Sequence, residues 1–250
     1  MEVLFVRWAY SRMTCLKVCC YAGFFGRRRS LQNDTGRRFA LRPRIRLIFP
    51  AITGGRAKMF VLGIAGSPRK GGNTELMLER AMAGAATAGA TTKTLFLREY
   101  RISHCLHCGG CNETGVCVIK DDMHLIYPEL RRAERLILAA PVYFMGPPAL
   151  TKAMIDRCQA LWALKHLLKQ PVYLGPAVPR KALYLSVGGT SVRELFQPSL
   201  RIVRSWLLTL EIRLAGEVTF AGVDEADAIR RHPTALREAY EAGHKLAIEP

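Results

Sequence analysis

From Met59 onward, short β-branched and apolar runs alternate with longer stretches of helical period, and that alternation leaves few folds open. The runs Met59–Ala65, Thr92–Leu97, Arg135–Ala140, Lys181–Val187 and Gly216–Phe220 read as strands. Helices are expected near Thr74–Ala88, Met123–Arg132, Ala149–Leu168, Val192–Leu210 and Pro233–Ala247. Strand and helix in turn imply parallel strands joined by right-handed crossovers, hence an α/β chain with one doubly wound five-stranded sheet and helices on both faces. Such sheets bind ligands beyond the carboxyl ends of their strands, near the point where strand order reverses.

The formal charge of +17 raises the possibility of a nucleic-acid partner, but the charge is unevenly placed. Residues 1–58 hold thirteen Lys and Arg against two acids, Glu2 and Asp34, so +11 of the total lies there. That segment has no sustained period and reads as a basic leader, disordered or lying upstream of a true start at Met59. Residues 59–250 read as one domain with an ordinary surface charge, expected to bind neither nucleic acid nor membrane. No run approaches the roughly 18 apolar residues of a spanning helix.

Three strand-end loops draw attention. The first, Gly66-Ser67-Pro68-Arg69-Lys70-Gly71-Gly72-Asn73-Thr74, leads straight into a helix, where backbone N–H groups, hydroxyls and an arginine form a cradle for a phosphate dianion. It is not a P-loop, since Gly71 is followed by Gly72-Asn73 rather than Lys-Ser/Thr, and no G-x-G-x-x-G is present. A mononucleotide phosphate remains, beside the plainer alternative of a turn capped by Asn73 or Thr74. The loop after the third strand, with Pro141, Val142, Tyr143 and Phe144, is suited to lie along a flat ring or to pack as a hydrophobic turn. Gly188 and Gly189 after the fourth strand allow close approach.

Four of the eight cysteines crowd into Cys105-x2-Cys108-x2-Cys111-x5-Cys117 within a loop spanning 104–122. A secreted disulfide framework would scatter them, so the crowding favours metal or redox chemistry in a reducing, cytoplasmic setting. The spacing resembles loops that wrap a 4Fe-4S cubane, with Gly109 and Gly110 allowing sharp turns. A zinc site, a redox dithiol and unmetallated thiols are the competing readings. Cys158 reads as a core residue, and Cys15, Cys19 and Cys20 in the leader receive no role.

Gly66 to Thr74, the cysteine window closing on Asp121-Asp122-Met123, Pro141-Val142-Tyr143, Lys152 with Ile155-Asp156-Arg157, and His232-Pro233 together resemble the NADPH-dependent FMN reductase and iron-sulfur flavoprotein family. The likeness implies a flavodoxin-like fold of strand order 2-1-3-4-5. It implies that Ser67, Arg69, Gly72, Asn73 and Thr74 hold the FMN phosphate, that Pro141 to Phe144 flank the isoalloxazine, and that Gly188 and Gly189 lie on its far side. The cysteine spacing is similar to that of the family's iron-sulfur members. A homodimer or homotetramer is implied as well.

No Ser-His-Asp or paired-carboxylate set stands out, so no side-chain general base is expected. The leading expectation is an FMN-dependent oxidoreductase moving electrons from NAD(P)H to a flavin, quinone or similar small molecule. The alternative is an iron-sulfur flavoprotein fed by ferredoxin. A redox- or metal-sensing module that binds through its basic leader is a third class, marked by steep salt dependence.

Overall fold

The computed structural model describes residues 58–249. The expectations for the basic leader, with Cys15, Cys19 and Cys20, fall on residues 1–57, outside the described residues. The five strands are β1 (Phe60–Ala65), β2 (Thr91–Phe96), β3 (Arg135–Ala139), β4 (Lys181–Gly188) and β5 (Arg213–Ala221). All pair in parallel, in the order β2-β1-β3-β4-β5. The chain is thus the expected flavodoxin-like α/β sheet. Strand order reverses between β1 and β3, where Val61 lies opposite Arg135 and Ala65 opposite Ala139. The loops leaving these strands therefore start side by side.

The helices are α1 (Asn73–Thr87), α2 (Met123–Arg132), α3 (Ala149–Arg157), α4 (Gln159–His166), α5 (Gln197–Thr209), the short α6 (Ala228–Arg231) and α7 (Ala235–Ile248). Strand periodicity divides them between two faces. Leu136 and Leu138 of β3 join Leu62, Ile64 and Tyr184 in a core under α2, α3, α4 and α5. Ile137 and Ala139, pointing the other way, join Val61, Leu183 and Leu185 under α1 and α7. Burying one such leucine contributes about 1.5–3 kcal/mol. β3 is covered on both sides, which is why it reads as an unbroken apolar run.

α1 and α7 pack almost backbone to backbone. A Cβ on Gly84 would lie 2.1 Å from the Tyr240 carbonyl oxygen, and one on Gly243 would lie 2.0 Å from that of Ala81. At the amino end of the sheet, two buried arginines take up helix-terminal carbonyls. Arg180 donates to Leu130, Ala133 and Leu210, and Arg135 to Leu246 and Glu249. The edge opposite the strand-end loops is thereby fastened.

Four boundaries differ from expectation. The helix expected over Ala149–Leu168 breaks at Cys158, which ends α3 and begins α4. α5 begins at Gln197 rather than Val192, with Pro198 in its first turn, a position proline favours. β5 starts at Arg213 rather than Gly216, because Arg213 and Leu214 already pair with Lys181 and Ala182 before the register shifts at Gly216. The last expected helix, Pro233–Ala247, is preceded by the separate turn of α6.

Candidate functional site

Beyond Ala65 the chain turns into α1 within a few residues. Gly66 donates to the Ala139 carbonyl at 2.7 Å and accepts from the Thr151 hydroxyl at 2.9 Å. A side chain would not fit there, because a Cβ on Gly66 would lie 2.3 Å from Thr151 Oγ1. Ser67 is buried, and its Oγ accepts the Arg69 N–H at 3.1 Å. Gly71 takes φ +65, the left-handed region glycine enters freely. Gly72, not Asn73 or Thr74, is the N-cap of α1, and no side chain among the described residues caps the helix. The N–H groups of Asn73 and Thr74, first in α1, therefore have no acceptor from their own helix, whereas that of Glu75 donates to the Gly72 carbonyl at 2.8 Å. Glu75 in the same turn would oppose an anion, but Arg98 binds it at 2.5 and 3.3 Å.

This helix start forms one wall of a small cleft lined also by Pro141, Val142 and Tyr143, by Gly188 and Gly189, and by Val223 and Asp224. The ends of four strands thus meet at the reversal point. Of the residues expected to hold FMN, Ser67, Arg69, Gly72, Asn73, Thr74, Pro141, Val142, Tyr143, Gly188 and Gly189 line the cleft. Phe144 does not line it. It stands fully exposed at the tip of a turn closed by reciprocal Tyr143–Gly146 hydrogen bonds, with φ +49, and Met145 follows at +67. Two consecutive non-glycine residues in this region cost on the order of 1–3 kcal/mol each, strain of a kind that gathers at ligand sites.

The segment after β5 is the part sequence reasoning missed. The Asn73 side chain, expected to face phosphate, instead donates to the Glu225 carbonyl at 2.8 Å and accepts the Ile229 N–H at 3.2 Å. Arg69 Nη1 reaches the Asp224 carbonyl at 3.2 Å. These contacts span more than 150 residues of sequence, so no local pattern signals them. The donor set fits a phosphate: an uncapped helix start, a hydroxyl and a guanidinium. At about 50 Å³ the cleft suits a phosphate-sized group, and a three-ring system would have to extend past Tyr143 at its rim.

A second cavity, of about 330 Å³, is lined by Cys105, Cys108, Cys111 and Cys117 together with Arg157, Ala160 and Trp162. All four cysteines are free thiols. His107, Gly109 and Gly115 all take positive φ, which lets the loop fold back on itself. Gly115 is needed for contact as well, since a Cβ there would meet Leu164 at 2.6 Å. Burial, opposed by a backbone hydrogen bond and reinforced by the charges of Cys117, Cys105 and Cys108, pushes the Cys111 thiol up.

Among the described residues, no three His, Cys, Asp or Glu side chains are placed to hold a metal ion. A lone zinc would need sulfurs within about 4 Å of each other. The four thiols share one cavity, and four thiolates are the donor set that an iron-sulfur cluster takes. His104 and His107 are exposed. Cys158 is buried, with its thiol pushed up to about 12 by burial, and accepts a hydrogen bond from Trp206 at 3.2 Å.

Among the described residues no helix is long and apolar enough to cross a membrane. An iron-sulfur flavoprotein of Methanosarcina thermophila is 41% identical over 132 residues, 53% of this chain and 64% of that protein. One of Archaeoglobus fulgidus is 42% identical over 106 residues, 42% of this chain and 54% of the relative. The chain thus spans between half and two thirds of the length of these curated relatives. An NAD(P)H:quinone oxidoreductase from Methanothermobacter marburgensis has a similar fold, with a TM-score of 0.56 at 19% identity, over 76% of this chain and all of that one. The sequence profile of the NADPH-dependent FMN reductases matches residues 59–209, more than half of the sequence, and the chain belongs to that family.

Proposed function

We propose that residues 59–250 form an FMN-dependent oxidoreductase that moves electrons from NAD(P)H to a flavin, quinone or similar small acceptor. The observation that carries this reading is the uncapped start of α1, set beside Ser67 and Arg69 where four strand ends converge. In this reading the first N–H groups of α1, the Ser67 and Thr74 hydroxyls and the Arg69 guanidinium hold the FMN phosphate. The Asn73 side chain holds the segment at 224–229 against the loop rather than touching the ligand. Tyr143 and Phe144 supply aromatic surface for the ring, and the backbone of Gly188 and Gly189 lets it approach. Bound FMN supplies the hydride and single-electron chemistry. The protein's part is to orient it and govern access to it.

Cys105, Cys108, Cys111 and Cys117 hold a 4Fe-4S cluster in the same reading, supported by the shared cavity and by likeness to proteins named iron-sulfur flavoproteins. Thiols kept free for such a site belong in a reducing, cytoplasmic compartment. A homodimer or homotetramer is part of the proposal, as the exposed Phe144 and the open rim of the cleft leave surface for a second copy.

The cysteine cavity favours one second reading, an electron carrier reduced by ferredoxin. Anaerobic steady-state oxidation of NAD(P)H with a quinone separates the two. Rapid turnover is expected for the reductase, whereas no turnover together with ferredoxin-dependent reduction would replace it with the carrier.

A further inference from the structure

The cysteine loop is closed at its base by protein contacts alone. Arg157, at the end of α3, is fully buried among the residues lining the cysteine cavity. Its Nη1 donates to the Ser103 carbonyl at 3.1 Å and to Asp121 Oδ2 at 2.5 Å. Its Nη2 donates to Asp121 Oδ1 at 3.1 Å and to the Ile119 carbonyl at 3.4 Å. Asp121 in turn accepts the N–H of Ser103 at 2.8 Å and that of Met123 at 3.2 Å. Both ends of the loop are thus held within two residues of its first and last cysteines, Cys105 and Cys117.

A buried ion pair is an inefficient way to stabilise a fold, because desolvation offsets most of the attraction. An apolar pair would close the loop at no greater cost. What an apolar pair cannot provide is a fixed positive charge in the wall of the thiol cavity and a planar fork that fixes several acceptors at once. Arg157 Nε, moreover, is buried without a hydrogen-bond partner among the described residues.

We propose that Arg157 is a positioning residue for the cluster: it holds the cysteine loop closed before iron arrives and sets its charge behind the thiolates. This rests on the reading of Cys105, Cys108, Cys111 and Cys117 as cluster ligands. Partners behind a metal site orient its ligands and tune its electronics. Arg157 has the place for both roles, and Asp121 keeps it from being an isolated buried charge.

The test uses the full chain, reconstituted anaerobically with ferrous iron and sulfide, as wild type, R157K and R157Q. R157K still compensates Asp121 and so guards against simple misfolding. It is expected to keep the wild-type midpoint potential while losing iron to a chelator about 10-fold faster or more, because it lacks the fork. R157Q is expected to lose iron as fast, and what cluster it retains is expected to have a more negative midpoint potential. Amide exchange at Ser103 and Met123 in the metal-free protein is expected to quicken in both variants.

A merely structural role would quicken exchange and leave the potential unmoved, so an unchanged potential in R157Q overturns the proposal. Iron retention equal to wild type in both variants overturns it too. A wild-type chain that takes up no iron and sulfide overturns the cluster reading itself, and this inference with it.

Discussion

The Thr151 hydroxyl donates to the Gly66 carbonyl across 2.9 Å, tying the first turn of α3 to the loop that leaves β1. Both groups are buried, so the two loops of the cleft cannot move apart without stranding an acceptor. Thr151→Val keeps the shape and removes the donor. It is expected to lower stability by about 1–3 kcal/mol in urea unfolding and to weaken FMN binding as well. Unchanged stability would mean that water replaces the hydroxyl.

Ser67→Ala and Arg69→Ala test the phosphate contact. A hydrogen bond to a charged group contributes about 1.5–3 kcal/mol, so each change is expected to weaken FMN binding by about 10- to 100-fold. Riboflavin, which lacks the phosphate, serves as control. Its affinity is expected to be the same in wild type and both variants, measured by quenching of flavin fluorescence.

Gly84→Ala and Gly243→Ala test the seam between α1 and α7. Each added Cβ would press on a carbonyl of the opposite helix, Tyr240 or Ala81, and the helices must separate to admit it. Overpacking of this kind costs about 1–3 kcal/mol or more, outweighing the roughly 1 kcal/mol that alanine gains over glycine within a helix. Urea unfolding is expected to show a lower midpoint for both variants.

The acid limb of stability tests the Glu129 cluster. Burial works against its carboxylate, but hydrogen bonds from Lys93 and Arg132 prevail and hold the carboxyl below its ordinary value of 4.5. The stabilisation is therefore complete above about pH 4.5 and is lost as pH falls through the lowered value. Glu129→Gln is expected to lower the melting temperature at neutral pH and to flatten its decline between neutral pH and the acid range.

Much of the fold was legible because its signals are local. β1, β3 and β4 each carry an apolar run, and the glycines from Gly66 to Gly72 sit where a strand turns into a helix. The break at Cys158 was not legible, since the apolar period continues across it from Met154 to Leu161 and Leu164. The late start of α5 at Gln197 could have been read from Pro198, which suits a first turn and not a helix interior. The roles of Asn73, Asp224 and Arg157 depend on partners far away in sequence, which only the folded chain brings together.

The proposed function depends on the loop from Gly66 to Thr74 holding the phosphate of FMN. Anaerobic titration of the purified full chain with FMN, followed by flavin fluorescence, tests that most directly. The expected result is saturable quenching at one FMN per chain, with riboflavin binding far more weakly. No quenching by FMN, or equal binding of riboflavin, would contradict it.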